Sequence, residues 1–211
     1  MAKFNEGING PFQGKVGKVI GCTWRGIPYM RALPKKRSSE PSEKEMASRK
    51  KWALSQQWLK PVLGIVQIGF KGYSPRSEGF IAAKSYLMKH AFEGEGLDCR
   101  INPALVKISA GDLPLSHNMQ ATRLAEYQVQ FTWDTALPND DASSFDQIML
   151  MAYDVDNGET EFSLPGELRK KGSAVLELSP DEPGTYHLYA AFVAYDRSRQ
   201  SDSIYLGTVD V

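Results

Sequence analysis

The sequence predicts an α+β fold: an N-terminal β-hairpin plus helices, then a C-terminal antiparallel β-sandwich. Three observations predict it. The chain opens on a glycine-punctuated, β-forming segment. A helix-start motif follows a short charged linker. From Tyr127 onward, short alternating segments separated by turn residues fill the rest of the 211 residues, which is the pattern of a sandwich.

The opening segment carries Gly7, Gly10, Gly14, Gly17, Gly21 and Gly26, with Val16, Val19, Ile20, Thr23, Trp24, Ile27, Tyr29 and Met30 between them. Arg25 and Gly26 read as a tight turn, because glycine accepts positive φ without steric penalty. The reading is a hairpin over 15–24 and 27–33. Pro28 makes the second arm short or an edge, since proline cannot donate to a ladder.

After the linker 34–41, Ser42 and Glu45 match a capping box: the serine caps an orphan N–H and the glutamate reaches back to the cap. Met46, Ala53 with Leu54, and Trp58 recur at helical spacing, with Trp52 and Leu59 as a flanking stripe. Pro61 ends the helix. Residues 62–70 read as a short apolar segment, and a second helix starts near Ser77, with Phe80, Ile81, Tyr86 or Leu87, and Ala91 on one side. A strand is expected over 104–108, then a polar connector around 117–122.

Beyond it, strands are expected at 127–133, 147–153, 161–164, 174–178, 185–195 and 203–209. The run Pro183, Gly184, Thr185, Tyr186 resembles the corner before a late strand in immunoglobulin/fibronectin-III-like sandwiches, where a tyrosine hydroxyl bonds back to the backbone. The implied domains are a basic hairpin-plus-helix domain over 1–120 and an acidic sandwich over 121–211. Residues 1–124 hold 20 Lys+Arg against 9 Asp+Glu, a net +11, and residues 125–211 hold 5 against 16, a net −11. Two halves of opposite sign suggest different partners or mutual attraction.

Motifs for chemistry fail on spacing. Gly17 and Lys18 lack a glycine five positions earlier, where Phe12 stands, and Val19 follows where Ser or Thr is needed for a phosphate loop. Asp154, Asp156 and Asn157 suggest a calcium loop, but its glycine, Gly158, is fifth rather than sixth, and Pro165 takes the place of the twelfth-position Glu. Asn157 and Gly158 between two strands are instead a hairpin turn. His90, His117 and His187 have no His or Cys at ligand spacing. Asp140 with Asp141 and Asp181 with Glu182 fall in solvated turns, poorly suited to the raised pKa of an acid catalyst. The sequence therefore implies no catalytic residue, metal or cofactor. Cys22 and Cys99 read as two buried thiols. The first residues carry no apolar run of a secretory signal and no segment is long enough to span a bilayer, so a cytoplasmic protein is expected.

One constellation remains: Lys18, Trp24, Arg25, Tyr29, Arg31, Lys35, Lys36 and Arg37, with Lys15 nearby and Arg49, Lys50 and Lys51 on the next helix. Cations beside aromatics suit a protein surface, a second copy of the chain, or phosphates and bases. The sequence ranks a non-enzymatic structural or interaction protein first, binding another protein or itself. A nucleic-acid-binding module using the basic hairpin and first helix is the alternative. A carbohydrate-binding sandwich using Trp133, Tyr153 and Tyr195 rests on fold analogy alone.

Gly14, Lys15, Val16 and Gly17; Gly21; Trp24, Arg25 and Gly26; Tyr29, Met30 and Arg31; Pro34; Pro41 with Ser42; Arg49; Gly69 with Phe70; Phe131 with Trp133; Gly184; and the run 203–207 follow in an order that resembles the bacterial family called domain of unknown function 6266. The resemblance covers nearly the whole chain. It implies no assigned activity and no catalytic residues. Similar N-terminal motifs in phage-associated proteins imply a structural or assembly role.

Overall fold

The computed structural model describes residues 3–4, 10–24, 26–35, 38–75, 77–179 and 183–211. The chain forms two compact units, Met1–Pro41 and Ser42–Val211.

The first unit is a sheet of β1 (Lys3–Phe4), β2 (Phe12–Val16), β3 (Val19–Trp24) and β4 (Ile27–Ala32), antiparallel in that order. The expected first arm, 15–24, is two strands, because Gly17 adopts φ 57° and turns the chain between Val16 and Val19. Gly26, at φ 81°, helps close the next turn between Trp24 and Ile27. Gly21 is required by packing: a Cβ there would collide with the Phe12 carbonyl and ring. Pro28 lies on the edge strand, as expected. The Leu33 N–H donates to the Lys18 carbonyl. By alternation, the main-chain groups of Ile27, Tyr29 and Arg31 then face β3, while those of Pro28, Met30 and Ala32 face outward. Proline thus occupies a position whose missing N–H the ladder does not need.

The second unit begins with α1 (Glu43–Leu59), and its capping box forms as expected: the Ser42 N–H donates to Glu45 at 2.8 Å, and the Glu45 N–H to the Ser42 hydroxyl. Next come α2 (Leu63–Gly69) and α3 (Gly79–His90). The segment 62–70 is therefore a helix. Its glycines serve packing: Gly64 faces the Phe162 ring, and Gly69 lies so close to the Ile108 carbonyl that a Cβ would collide with it. In α1, Trp58 and Leu59 are buried while Met46 and Trp52 are exposed. In α3, Ala82, Ala83 and Leu87 are buried while Ile81 is exposed.

A two-strand ribbon follows, β5 (Phe92–Glu93) with β6 (Arg100–Ile101). The strand expected over 104–108 is absent. Asn102 caps the Ala104 N–H, and Pro103 starts a 3-10 turn, so the segment turns instead of extending.

The sandwich is built from β7 (Gln120–Ala125), β8 (Gln128–Thr132), β9 (Gln147–Asp154), β10 (Glu159–Ser163), β11 (Ser173–Glu177), β12 (Thr185–Val193) and β13 (Ile204–Asp210). One sheet has the order β11-β8-β7 and the other β10-β9-β12-β13. Strand β7 stands where a polar connector was expected. Between the sheets lie Val129, Phe131 and Leu176 from one and Ile148, Leu150, Leu188 and Phe192 from the other.

The alternate residues of β9 and β12, Met149, Met151, Tyr153, Tyr189, Ala191 and Val193, pack with Trp58, Leu59, Val62, Ile65, Val66, Phe70 and Leu87. The four-stranded sheet is therefore covered on both faces, by the second sheet and by the helices. This overturns the division at 120/121: the helices have no core of their own and share one with the sheet, so the break falls at 41/42. Each large apolar side chain so buried contributes about 1.5–3 kcal/mol.

Arg169 crosses this second unit fully buried. It donates to Asp146 (3.1 Å), the Ser116 hydroxyl (2.9 Å) and the Pro114 carbonyl (2.8 Å), and lies 3.9 Å over the Phe192 ring. The Trp133 indole N–H donates to the Arg169 carbonyl at 2.7 Å. Among the described residues no helix is long and apolar enough to cross a membrane.

Candidate functional site

The constellation singled out in the sequence falls on the N-terminal sheet and its flanks. Trp24 is 55 % and Tyr29 46 % exposed, and Lys18, Arg31 and Lys35 are also exposed. Arg25, Lys36 and Arg37 lie outside the described residues.

Strand register sorts these side chains by face. Lys15 pairs with Ile20 and Ile20 with Arg31; Cys22 pairs with Tyr29 and Trp24 with Ile27. Directly opposed residues project to one side of a sheet. One face therefore carries a basic row, Lys15 and Arg31 about Ile20, beside an apolar block of Trp24, Tyr29 and Ile27. The other face carries Val19, Thr23, Pro28, Met30 and Ala32. A groove of about 340 Å³ runs between Phe12, Pro28, Tyr29 and Met30. Lys18 sits in the β2–β3 turn and Lys35 beyond the end of β4.

Sequence reasoning missed Ile27 and Met30, which are 63 % and 70 % exposed. Their signal was available. Strand β4 is apolar or basic at successive positions on both faces and is exposed throughout, whereas a strand over a core alternates apolar with polar.

The basic residues of α1 do not form one free group. The Lys50 ammonium donates to the Leu97 carbonyl, and Lys51 lies 5.4 Å over the Phe92 ring. Both charges are engaged within Ser42–Val211.

The motifs set aside on spacing take structural positions. Asp154 is buried and its carboxylate accepts from the Asp156 and Asn157 N–H groups and from the Asn157 side chain, which fixes the β9–β10 hairpin turn. His187 is half-buried with Nδ1 2.9 Å from the Tyr205 hydroxyl, and burial pulls its pKa down. The Tyr186 hydroxyl donates to the Glu159 carboxylate at 2.7 Å and not to the backbone, unlike the expected corner. Trp133 and Tyr153 are buried and Tyr195 is exposed, so these aromatics do not share a surface. Cys22 is half-buried and Cys99 buried, both free thiols. Among the described residues no group of three or more His, Cys, Asp or Glu is placed to hold a metal.

Residues 11–207 match the family described as Family of unknown function (DUF6266). The chain belongs to this family. The DUF6266 match takes in β2–β4, the helices and most of the last strand, so it spans both units. No curated protein gives a significant match. Among solved structures, the FN1-FN3 domains of chicken CNTN1 are similar at 11 % identity, with a TM-score of 0.32, over 48 % of this chain and 32 % of that one. The DUF6266 chain thus spans about a third of that structure's length.

Proposed function

We propose that this DUF6266 protein is a non-enzymatic interaction protein whose N-terminal sheet is its contact element, and that its contact is another protein surface, including a second copy of the chain. One observation carries the reading: Trp24, Ile27, Tyr29 and Met30 are exposed on a small sheet beside Lys15, Lys18, Arg31 and Lys35. Exposed aromatics with arginine mark the centres of protein interfaces. The outward main-chain groups of Met30 and Ala32 offer an edge for strand addition.

Charge supports a second copy as a matched partner. Residues 1–41 hold 8 Lys+Arg against 2 Asp+Glu, a net +6, and residues 42–211 hold 17 against 23, a net −6. The remaining unit then serves as scaffold, with a three-plus-four strand order like that of immunoglobulin/fibronectin-III-like sandwiches.

Light scattering over a concentration series tests the reading. The proposed outcome is a mass that rises with concentration and falls back with added salt. A chain that stays monomeric throughout, and binds no acidic protein surface, contradicts it.

The nucleic-acid reading draws support from the same face, where Trp24 and Tyr29 lie beside a basic row. It requires single-stranded DNA to bind at low salt and release steeply as salt rises. A flat response at low salt removes it.

A further inference from the structure

A groove of about 690 Å³ lies between α1 and α3. Trp52 and Gln56, one turn apart, line it from α1; Ile81 and Met88, two turns apart, line it from α3. Trp52 and Ile81 are more than half exposed, although both are large and apolar. The helices meet the core through other residues: Trp58 and Leu59 on α1, and Ala82, Ala83 and Leu87 on α3. Trp52, Ile81 and Met88 therefore form a second apolar surface that the core does not use. Exposed apolar patches of this kind mark interaction sites.

Charge narrows the partner. The lining holds two cations, Lys84 and Lys89, and no carboxylate. Lys84 is only 9 % exposed, yet its contacts are neutral: its ammonium donates to the Gln56 side-chain carbonyl at 2.8 Å and lies 3.4 Å over the Trp52 ring. Both of those residues line the groove, so the ammonium stands at its wall, and Gln56 takes one of its three donors. Burial holds the Lys84 pKa below the ordinary 10.5, with no opposite charge to offset it. A buried cation without a counter-charge favours an anion arriving from outside.

Shape narrows it further. Ile81 to Met88 spans about 10.5 Å along α3. A helix laid in a groove sets its i, i+3 or i+4, and i+7 anchors over that length. An acyl chain in so open a groove would leave its outer side in water, whereas a helix turns a polar face outward. No helix among the described residues is acidic: α1 carries Lys44, Arg49, Lys50 and Lys51 against Glu43 and Glu45, α2 has no charged residue, and α3 has lysines but no carboxylate. A second copy therefore lacks the helix that this groove fits.

We propose that the α1–α3 groove receives an acidic amphipathic helix of another protein, whose apolar residues pack on Trp52, Ile81 and Met88 and whose carboxylates meet Lys84 and Lys89. The site belongs to Ser42–Val211 and does not depend on the contact proposed for the N-terminal sheet.

Three labelled peptides of about 18 residues, long enough to form helix in water, test it on the full chain by fluorescence polarisation. The first has leucines at i, i+3, i+4 and i+7 on one face and glutamates on the other. In the second, lysines replace the glutamates. The third reorders the first so that its leucines share no face. The first is expected to bind about tenfold tighter or more than either of the others. Ile81→Glu, at an exposed position, should weaken it by about tenfold or more with the melting temperature kept. In Lys89→Glu the first peptide should weaken by about three- to tenfold and the lysine peptide should gain. Binding should also raise the Lys84 pKa, read from its ε-carbon resonance.

A first peptide that does not bind, that binds no better than the other two, or that keeps its affinity in Ile81→Glu overturns the proposal. So does an unmoved Lys84 resonance at saturation. Binding that survives Ile81→Glu and is lost with Trp24→Ala and Tyr29→Ala would place the peptide on the N-terminal sheet, which overturns it as well.

Discussion

Two four-stranded antiparallel sheets stand in the same chain and meet opposite fates. The β10-β9-β12-β13 sheet is covered on both faces, by helices and by a second sheet, and from Ile148 to Asp154 every residue of β9 is buried. In the β1-β2-β3-β4 sheet, every residue of β4 is exposed. Both are rich in β-formers. What separates them is what covers them. The first is consumed by packing, so its aromatics are structural. The second leaves Trp24 and Tyr29 at the surface, open to the proposed contact. Side-chain type alone does not identify a site; coverage does.

That contrast breaks or holds at definite positions. The largest effect is expected at Arg169, the buried cation that ties Asp146, Ser116 and Pro114 together. Arg169→Ala leaves Asp146 buried and unpaired and should lower unfolding free energy by about 3–5 kcal/mol in a urea titration. A loss near zero would mean that this core is not closed. Next comes Met151→Ala, on the helix-facing side of β9. It should cost about 2–5 kcal/mol, and circular dichroism should show helix and strand signals melting together. Helix signal that outlives the strand signal would restore a boundary near residue 120.

Asp154→Ala removes the acceptor for two main-chain N–H groups and a side-chain amide at the β9–β10 turn. About 1–3 kcal/mol should be lost, with the fold kept.

A smaller effect depends on pH. Burial depresses the pKa of His187 below its ordinary value of 6.5, so the folded state prefers the neutral ring. The stabilisation this gives is complete above pH 6.5 and is lost as pH falls through the depressed folded value. Wild type should therefore lose melting temperature on acidification more steeply than His187→Gln; parallel curves would place His187 in solvent.

Least of all should happen to stability at the N-terminal sheet. Trp24→Ala with Tyr29→Ala is expected to shift unfolding free energy by no more than about 0.5 kcal/mol per site. A loss of core size would show that these aromatics are structural after all.

Local chemistry was legible in the sequence, and coverage was not. The Ser42–Glu45 capping box and the Asn157–Gly158 turn are each decided by residues a few positions apart, and both formed. Strand existence from Gln128 onward was legible for the same reason. The segment 62–70 reads as merely apolar, and its two glycines disfavour helix, yet they sit where Phe162 and Ile108 approach, a tertiary demand. Strand β7 escaped because it is mostly exposed and carries no apolar alternation. The helix cover does have a signal in the sequence. Residues 148–153 are continuously apolar, which marks a strand buried on both faces, while Val129 and Phe131 in β8 truly alternate with polar residues. For the candidate site, sequence brought Lys18, Trp24, Tyr29, Arg31 and Lys35 to one small unit. Only strand register showed that Trp24, Tyr29 and Arg31 share a face.

Hydrogen exchange across a protein-concentration series tests most directly whether the N-terminal sheet is a contact surface. Exchange over 27–33, which includes the outward amides of Met30 and Ala32, should slow as concentration rises, while exchange over 147–154 stays constant. The double substitution at Trp24 and Tyr29 should abolish that slowing. Exchange over 27–33 that does not change with concentration, in a chain that also gains no protection from an acidic protein surface, would show that this sheet is not a contact surface.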